Sequence, residues 1–276
     1  MNKKEPLISV VMPTFNAQKY ISISIESILN QTFSNFEFII IDDASTDNTL
    51  KIIEKYSKKD KRIKIIKNKN NLNIGGSLNK GIKHSRSNFI ARMDADDIAL
   101  SNRLKLQYEL MQKDTNLAVV GGYISVINEN GENLYIRKYP TENEKIKKAF
   151  FRYMPFAHPS VMIRKNFFNE VGGYDPKKSP SEDMDLWIKL GVKHSFGNID
   201  RPVLKYRLIK DSSSNKDFRK VELNTVKMRI NAITEYGYKP SLYDIFYNIA
   251  QISTLWVTPS WLRIKVFNIM RRLKFI

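Results

Sequence analysis

Three carboxylates stand within four residues at Asp94-Ala95-Asp96-Asp97, directly after the apolar run Phe89 to Met93. The run is short enough for one buried strand, so the acids fall at a strand's C-terminal edge, where open α/β sheets bind ligands. Asp94 and Asp96, two apart, can point the same way if the chain stays extended. That pairing suits a hard divalent cation, Mn²⁺ or Mg²⁺, which completes its shell with water and phosphate oxygens. The plainer alternative is a polar strand-to-helix loop, with Asp97 near the start of a helix over Ser101 to Lys113. An EF-hand calcium loop is excluded. It needs Gly at its sixth position and Glu at its twelfth, where this chain has Ala99 and Lys105.

Three other groups occupy equivalent places. Pro13-Thr14-Phe15-Asn16 closes the apolar run Leu7 to Met12, Asp42-Asp43 ends the run Phe36 to Ile41, and Asn73 to Gly76 follows the strand-like Arg62 to Lys67. Between them, helical spacing is read over Tyr20 to Gln31, from Ser45-Thr46-Asp47 to about Tyr56, and from Gly75-Gly76 to about Ser85. Strands alternating with helices predict a parallel, nucleotide-binding type of sheet. Its switch-point crevice would collect all four groups. Singly, each group also reads as structure, as a turn, a cap or a helix start.

The grammar changes after residue 115. Leu117 to Val120 and Tyr123 to Ile127 are strand-like around Gly121-Gly122, and Glu129 to Glu132 reads as a hairpin turn. A helix is expected over Glu142 to Phe151, a strand at Ser160 to Ile163, and a helix with acidic first residues over Ser181 to Leu190. Leu204 to Leu208 reads as a last strand and residues 216–236 as a helix.

The balance of 46 Lys+Arg against 28 Asp+Glu gives a net charge of +18, which implies an anionic partner. Residues 201–276 contribute +10 of it. With no cysteine, disulfides and thiolate metal sites are excluded. The opening Met-Asn-Lys-Lys-Glu-Pro lacks the apolar core of a signal peptide, and no stretch spans a bilayer cleanly, so a cytoplasmic location is expected.

Ser9-Val10-Val11-Met12-Pro13-Thr14-Phe15-Asn16, Ile39-Ile40-Ile41-Asp42-Asp43 and Met93-Asp94-Ala95-Asp96-Asp97 together resemble the family 2 glycosyltransferases of the GT-A fold. The likeness is strong over residues 7–130. It continues through His158-Pro159-Ser160-Val161, Gly172-Gly173-Tyr174-Asp175 and Ser181-Glu182-Asp183-Met184-Asp185-Leu186-Trp187. It is similar in particular to bacterial enzymes that extend lipopolysaccharide, capsule or O-antigen glycans. The resemblance implies an α/β fold, with a Rossmann-like nucleotide-binding sheet joined to an acceptor-binding half, and the composition after residue 216 adds a basic C-terminal helical tail. Residues 1–125 would bind the nucleotide sugar, 126–215 the acceptor, and 216–276 would form the tail.

The resemblance also implies site residues. Phe15 would lie on uracil, in a pocket shaped by Pro13 and Thr14, with Asn16, Asn73 and Gly75 in the same donor-binding set. Asp43 would contact the base and Asp94 the ribose or donor sugar, while Asp96 would hold the divalent cation. Asp183 is the expected base, with Glu182 in reserve. The expected partners are a nucleotide sugar, a UDP sugar by preference, and a glycan or lipid-linked glycan acceptor. Relatives commonly carry a His two residues after a Tyr-Arg pair, whereas Tyr206-Arg207 is followed here by Leu208-Ile209. Lys210 is the candidate to take over any contact made by that His. His158 is read as packed beside Pro159, and His84 and His194 as surface residues.

The tail from Tyr238 is read as a contact for an anionic membrane surface. Leu262, Val266, Ile269 and Leu273 fall on one helical stripe, with Arg263, Arg271 and Lys274 away from it, and no acidic residue follows Asp244. Packing of that stripe on the catalytic domain is the alternative. A sugar-nucleotide pyrophosphorylase would carry a Gly-rich loop after its first strand, where this chain has Pro13 to Asn16. A basic nucleic-acid-binding protein would explain the charge but not the acidic crevice, so nucleic acid is not an expected partner.

Overall fold

The structure, a computed structural model, describes residues 5–209, 218–255, 257–259, 262, 263, 266, 269 and 270. Its strands are β1 (Ile8–Thr14), β2 (Phe36–Asp42), β3 (Ile63–Lys67), β4 (Phe89–Arg92), β5 (Ile98–Ala99), β6 (Leu117–Ile127), β7 (Asn133–Arg137), β8 (Met162–Arg164) and β9 (Ser195–Arg207). They form one mixed sheet in the order β3-β2-β1-β4-β8-β6-β9-β5, with β7 paired to β6. β3, β2, β1 and β4 run parallel, and β8 pairs antiparallel with both β4 and β6.

Every residue of β1 and β2 is buried. That is why both read as unbroken apolar runs, since a parallel sheet covered on both faces has no solvent side to demand alternation. On one face lie α1 (Ile21–Leu29), α2 (Thr49–Lys59) and α4 (Arg103–Lys113), which contribute Ile21, Ile25, Ile53, Leu104 and Met111 to a core with Val10 and Met12. The other face carries α3 (Asn73–His84), α5 (Asn143–Ala149), α6 (Lys165–Glu170) and α7 (Glu182–Gly191). There Leu78, Phe150, Phe168 and Trp187 pack with Val11 and Ile41. Gly81 lets α3 sit close to the sheet, because a Cβ there would stand 2.6 Å from both Ile41 Cδ1 and Val11 Cγ1.

The two strand-like segments around Gly121-Gly122 are one continuous strand, β6. The glycines do not turn the chain. A Cβ on Gly121 would stand 2.2 Å from Asn198 Oδ1, and one on Gly122 2.7 Å from a Val203 methyl, so side chains of β9 occupy the space theirs would fill. β9 itself begins at Ser195, nine residues before the segment its apolar pattern marked. The hairpin at Glu129 to Glu132 forms as expected, with Gly131 at φ +89°.

Beyond the sheet, α8 (Phe218–Thr234) packs Met228 and Ala232 against Met184 and Ile188 of α7. A further helix, α9 (Leu242–Ser253), starts with a capping box in which Ser241 and Asp244 satisfy each other's backbone N–H. Asp244 also forms an ion pair with Arg152 at 2.5 Å. No described helix is long and apolar enough to cross a membrane.

Candidate active site

The C-terminal ends of β1, β2 and β4 open on a cleft of about 1180 Å³. Pro13, Thr14, Phe15 and Asn16 line it at the end of β1, and Asp43 after β2. Asn73 stands at the start of α3, Asp94 and Asp96 beyond β4, and Glu182 and Asp183 in the first turn of α7. Gly75 is buried behind this wall. A Cβ there would stand 3.4 Å from Glu182 Cγ and 3.5 Å from Tyr174 Cβ, ordinary van der Waals contact, so α3 packs directly on the start of α7 at this point. The structure therefore brings Pro13, Thr14, Phe15, Asn16, Asp43, Asn73, Asp94, Asp96, Glu182 and Asp183 to one cleft, with Gly75 behind its wall.

The first two loops are tied to each other. Asn16 takes φ +48° and Asn73 φ +60°, a region in which Asn is among the better-tolerated residues. Asn16 Oδ1 accepts from the Thr46 N–H at 2.9 Å, and the Asn16 N–H donates to Ser45 Oγ at 3.1 Å. The Asp43 carboxylate accepts from Asn68 Nδ2 at 2.7 Å and from the Leu72 N–H at 2.8 Å, which fixes the loop leading into α3. Phe15 is half-exposed at the cleft wall, an aromatic face held open by a rigid turn.

The acids after β4 fall into distinct environments. Asp94 pairs with the buried Arg92, Nη1 to Oδ2 at 2.6 Å. Asp97 is buried and accepts the Arg207 N–H at 2.8 Å, so it joins β9 to this loop. The Arg207 guanidinium donates to the Asp96 carbonyl at 2.9 Å and to the Glu129 carbonyl at 2.9 Å, and lies 4.4 Å from the Tyr20 ring centroid. The Asp96 side chain faces the cleft. One oxygen from each of Asp94, Asp96 and Asp97 lies within 4.8 Å of the others. Burial and the Asp94 charge push Asp96 up to about 6, and burial with the charges of Asp96 and Asp94 lifts Asp97 well above the carboxylate range. A buried oxygen of Asp97 has no hydrogen-bond partner. Crowded, mutually repelling carboxylate oxygens fit a hard divalent cation, which would relieve them.

Across the cleft, burial and the neighbouring Glu182 charge push Asp183 up to about 7. The N-terminus of α7 favours an anion there, and burial outweighs it. Asp183 Oδ1 accepts the Met184 N–H at 2.8 Å. Tyr174 sits behind this pair, positioned by Gly172 and Gly173 at φ +83° and +73° and braced by Asn79 on both its N–H and its carbonyl. Its hydroxyl is 2.8 Å from His158 Nε2. Burial and the Arg92 charge hold His158 well below the usual imidazole range, so it is neutral at pH 7. Like the packed reading from sequence, this makes it a hydrogen-bonding wall residue. His84 is exposed, whereas His194 stacks on Phe167 and bonds Glu170.

Sequence reasoning passed over Arg92, whose only signal was one charge inside a buried strand. It also passed over Arg137 and Lys220, which reach the same cleft from β7 and α8. Lys210 lies outside the described residues.

The family model described as Glycosyl transferase family 2 matches residues 9–172. An uncharacterized glycosyltransferase of Methanocaldococcus jannaschii is 40% identical over 210 residues, 74% of this chain and 71% of that protein. The O-antigen biosynthesis glycosyltransferase WbnJ of Escherichia coli is 36% identical over 81% of this chain and 88% of its own. The E. coli UDP-Glc:α-D-GlcNAc-diphosphoundecaprenol β-1,3-glucosyltransferase WfgD is 29% identical over 78% and 83%. A fragment of Staphylococcus aureus TarS in complex with UDP superposes with a TM-score of 0.65 at 20% identity, covering 91% of this chain and 72% of that one. That likeness establishes the GT-A fold.

Proposed function

The chain belongs to glycosyl transferase family 2, and from that premise we propose that it transfers a sugar from a UDP sugar to a lipid-linked glycan, inverting the anomeric centre. The observation that carries this reading is the convergence of Asp43, Asp96 and Asp183 on one cleft from three separate elements. One relative named for O-antigen biosynthesis, and another named for a UDP-glucose donor and a diphosphoundecaprenol acceptor, support the choice of substrates.

In this reading the base of the donor lies on Phe15 between Pro13, Thr14 and Asn73, with Asp43 on its polar edge. Asp94, oriented by Arg92, contacts the ribose or the donor sugar. Asp96 would hold Mn²⁺ or Mg²⁺, which when bound offsets charge developing on the leaving diphosphate. An acceptor hydroxyl is a weak nucleophile, so Asp183 takes its proton as the oxygen bonds to the anomeric carbon. The bond from that carbon to the diphosphate oxygen breaks on the opposite face, which inverts the centre. Glu182, with a buried oxygen that has no partner, is the second acid of this wall. We further place the enzyme at the cytoplasmic face of the membrane, where its acceptor would be presented.

A screen of nucleotide sugars, scoring donor hydrolysis with Mn²⁺ present, tests the reading. Hydrolysis of a UDP sugar should disappear in EDTA. Asp96→Asn should retain the fold and lose most of the turnover, since burial and the Asp94 charge already disfavour the ionised carboxylate in the folded chain. Full turnover by either would sink the metal assignment.

A further inference from the structure

Along β7 the side chains alternate. Leu134 and Ile136 are exposed on the outer face, while Tyr135 and Arg137, and then Tyr139, turn inward. Arg137 lines the cleft and is half-buried. Its Nη2 donates to the Tyr135 hydroxyl at 3.0 Å, and it also bonds the Tyr139 hydroxyl. These two hydroxyls engage part of its five donors and supply no countercharge. No carboxylate stands within 4.0 Å of Arg137 among the described residues. The other two arginines of this region are already engaged by the protein, Arg92 by Asp94 and Arg207 by the backbone around Asp96 and Glu129.

Position narrows what Arg137 could serve. Ile124 of β6 lies between Arg137 and Leu204 of β9, and Val126 between Tyr135 and Tyr206. Tyr206 lines the same cleft and feels the charges of the three aspartates and of Arg137, so it lies near both. In sheet order, Phe15 and Asp43 directly follow β1 and β2, which lie on the other side of β4 from β6 and β7. If the donor's base lies at Asp43, Arg137 is past the point of transfer.

We infer that Arg137, seated by Tyr135 and Tyr139, binds an anionic group of the acceptor, a phosphate or a carboxylate. This rests on the donor placement of the preceding section. A half-buried guanidinium has given up part of its hydration and regains it best from a planar or tetrahedral oxyanion that accepts two parallel bonds. A neutral glycan would leave that charge without a partner.

The test uses the full chain, with the nucleotide sugar that the screen identifies. Three acceptors are compared that share one sugar: an alkyl diphosphate ester, a neutral alkyl glycoside, and an alkyl glycoside bearing a uronic acid. The wild type should favour one of the two anionic acceptors, and which one names the source of the charge. Arg137→Gln should raise KM for that acceptor roughly tenfold to a hundredfold, the worth of a charge-assisted hydrogen bond. The donor KM, donor hydrolysis and the rate with the neutral glycoside should stay put, and Arg137→Lys should restore the preference only in part. The inference is overturned if Arg137→Gln acts equally on all three acceptors, leaves KM unchanged, or raises the donor KM instead. If wild type and variant alike hydrolyse no nucleotide sugar, the donor placement fails and takes this inference with it.

Discussion

At the residue scale, Asp183 is the most informative titrating group. A carboxyl held near 7 is matched to removing a proton at neutral pH, and only its ionised form can do so. Turnover at saturating donor should therefore rise with pH through about 7 and level off above it. Asp183→Asn should abolish that limb, reduce turnover by roughly 10²–10⁴-fold, and leave UDP affinity nearly intact. Stability gives an independent check. The folded pKa lies above the unfolded value of about 3.9, so the folded state keeps a proton that the unfolded state has lost. Wild-type stability relative to Asp183→Asn should then fall as pH rises from about 4 to about 7, and the gap should be constant above that. A pH-independent gap would place the carboxyl in an ordinary, solvated setting. Near-normal turnover in Asp183→Asn with collapse in Glu182→Gln would move the base by one residue.

At the element scale, the ends of the strands divide the work. The C-terminal ends hold the cleft, and the other end is fastened by Glu37 of β2. Its buried carboxylate accepts from Ser9 of β1, from Lys64 of β3, and from the backbone and side chain of Arg86 just before β4. Burial would raise its pKa, but these bonds hold it down at about 2. The stability it contributes is thus complete above its unfolded pKa of about 4.3 and is lost as pH falls toward 2. Glu37→Gln should cost about 1.5–3 kcal/mol by urea titration near neutrality, with turnover of the folded fraction unchanged. The parts legible in the sequence were those with a strong period or an unbroken apolar run: β1, β2, β4 and α7, and with them Asp43, Asp94, Asp96, Glu182 and Asp183, though not Glu129, which lines the cleft from the hairpin after β6. The parts it hid have physical causes. β5 is two residues long and is held by its pairing with β9 and by Ser27 of α1. The early half of β9 carries Asn198, Asp200 and Arg201, which mask a strand that pairs in parallel with β6. Gly121-Gly122 has the composition of a turn, yet answers a tertiary contact that no local pattern encodes.

At the scale of the whole molecule, the question is what the exposed apolar surface meets. The stripe expected at Leu262 and Val266 is partly taken up. Both line a cavity of about 480 Å³ against Thr225 and Arg229 of α8 and Ala250 of α9, while Leu273, Arg271 and Lys274 lie outside the described residues. It is α9 that turns an apolar face outward. Leu242, Ile245, Phe246, Ile249 and Ile252 recur at three- and four-residue steps, and Leu242 and Phe246 are 76% and 68% exposed. Residues 238–276 contain six Lys and Arg and a single acid, Asp244, which is buried and paired with Arg152. An apolar face within a stretch of net positive charge suits the interface of an anionic bilayer, with α9 lying in its plane. The pure chain should float with liposomes containing anionic lipid and much less with neutral ones, and salt should weaken the binding. Replacing Phe246 and Ile249 by Asp should abolish flotation and leave soluble-donor hydrolysis intact, because neither residue lines the cleft. If the doubly substituted chain still floats, the contact lies elsewhere. If the intact chain never floats and the substitutions instead lower its thermal midpoint, that face packs against protein, and the membrane placement falls.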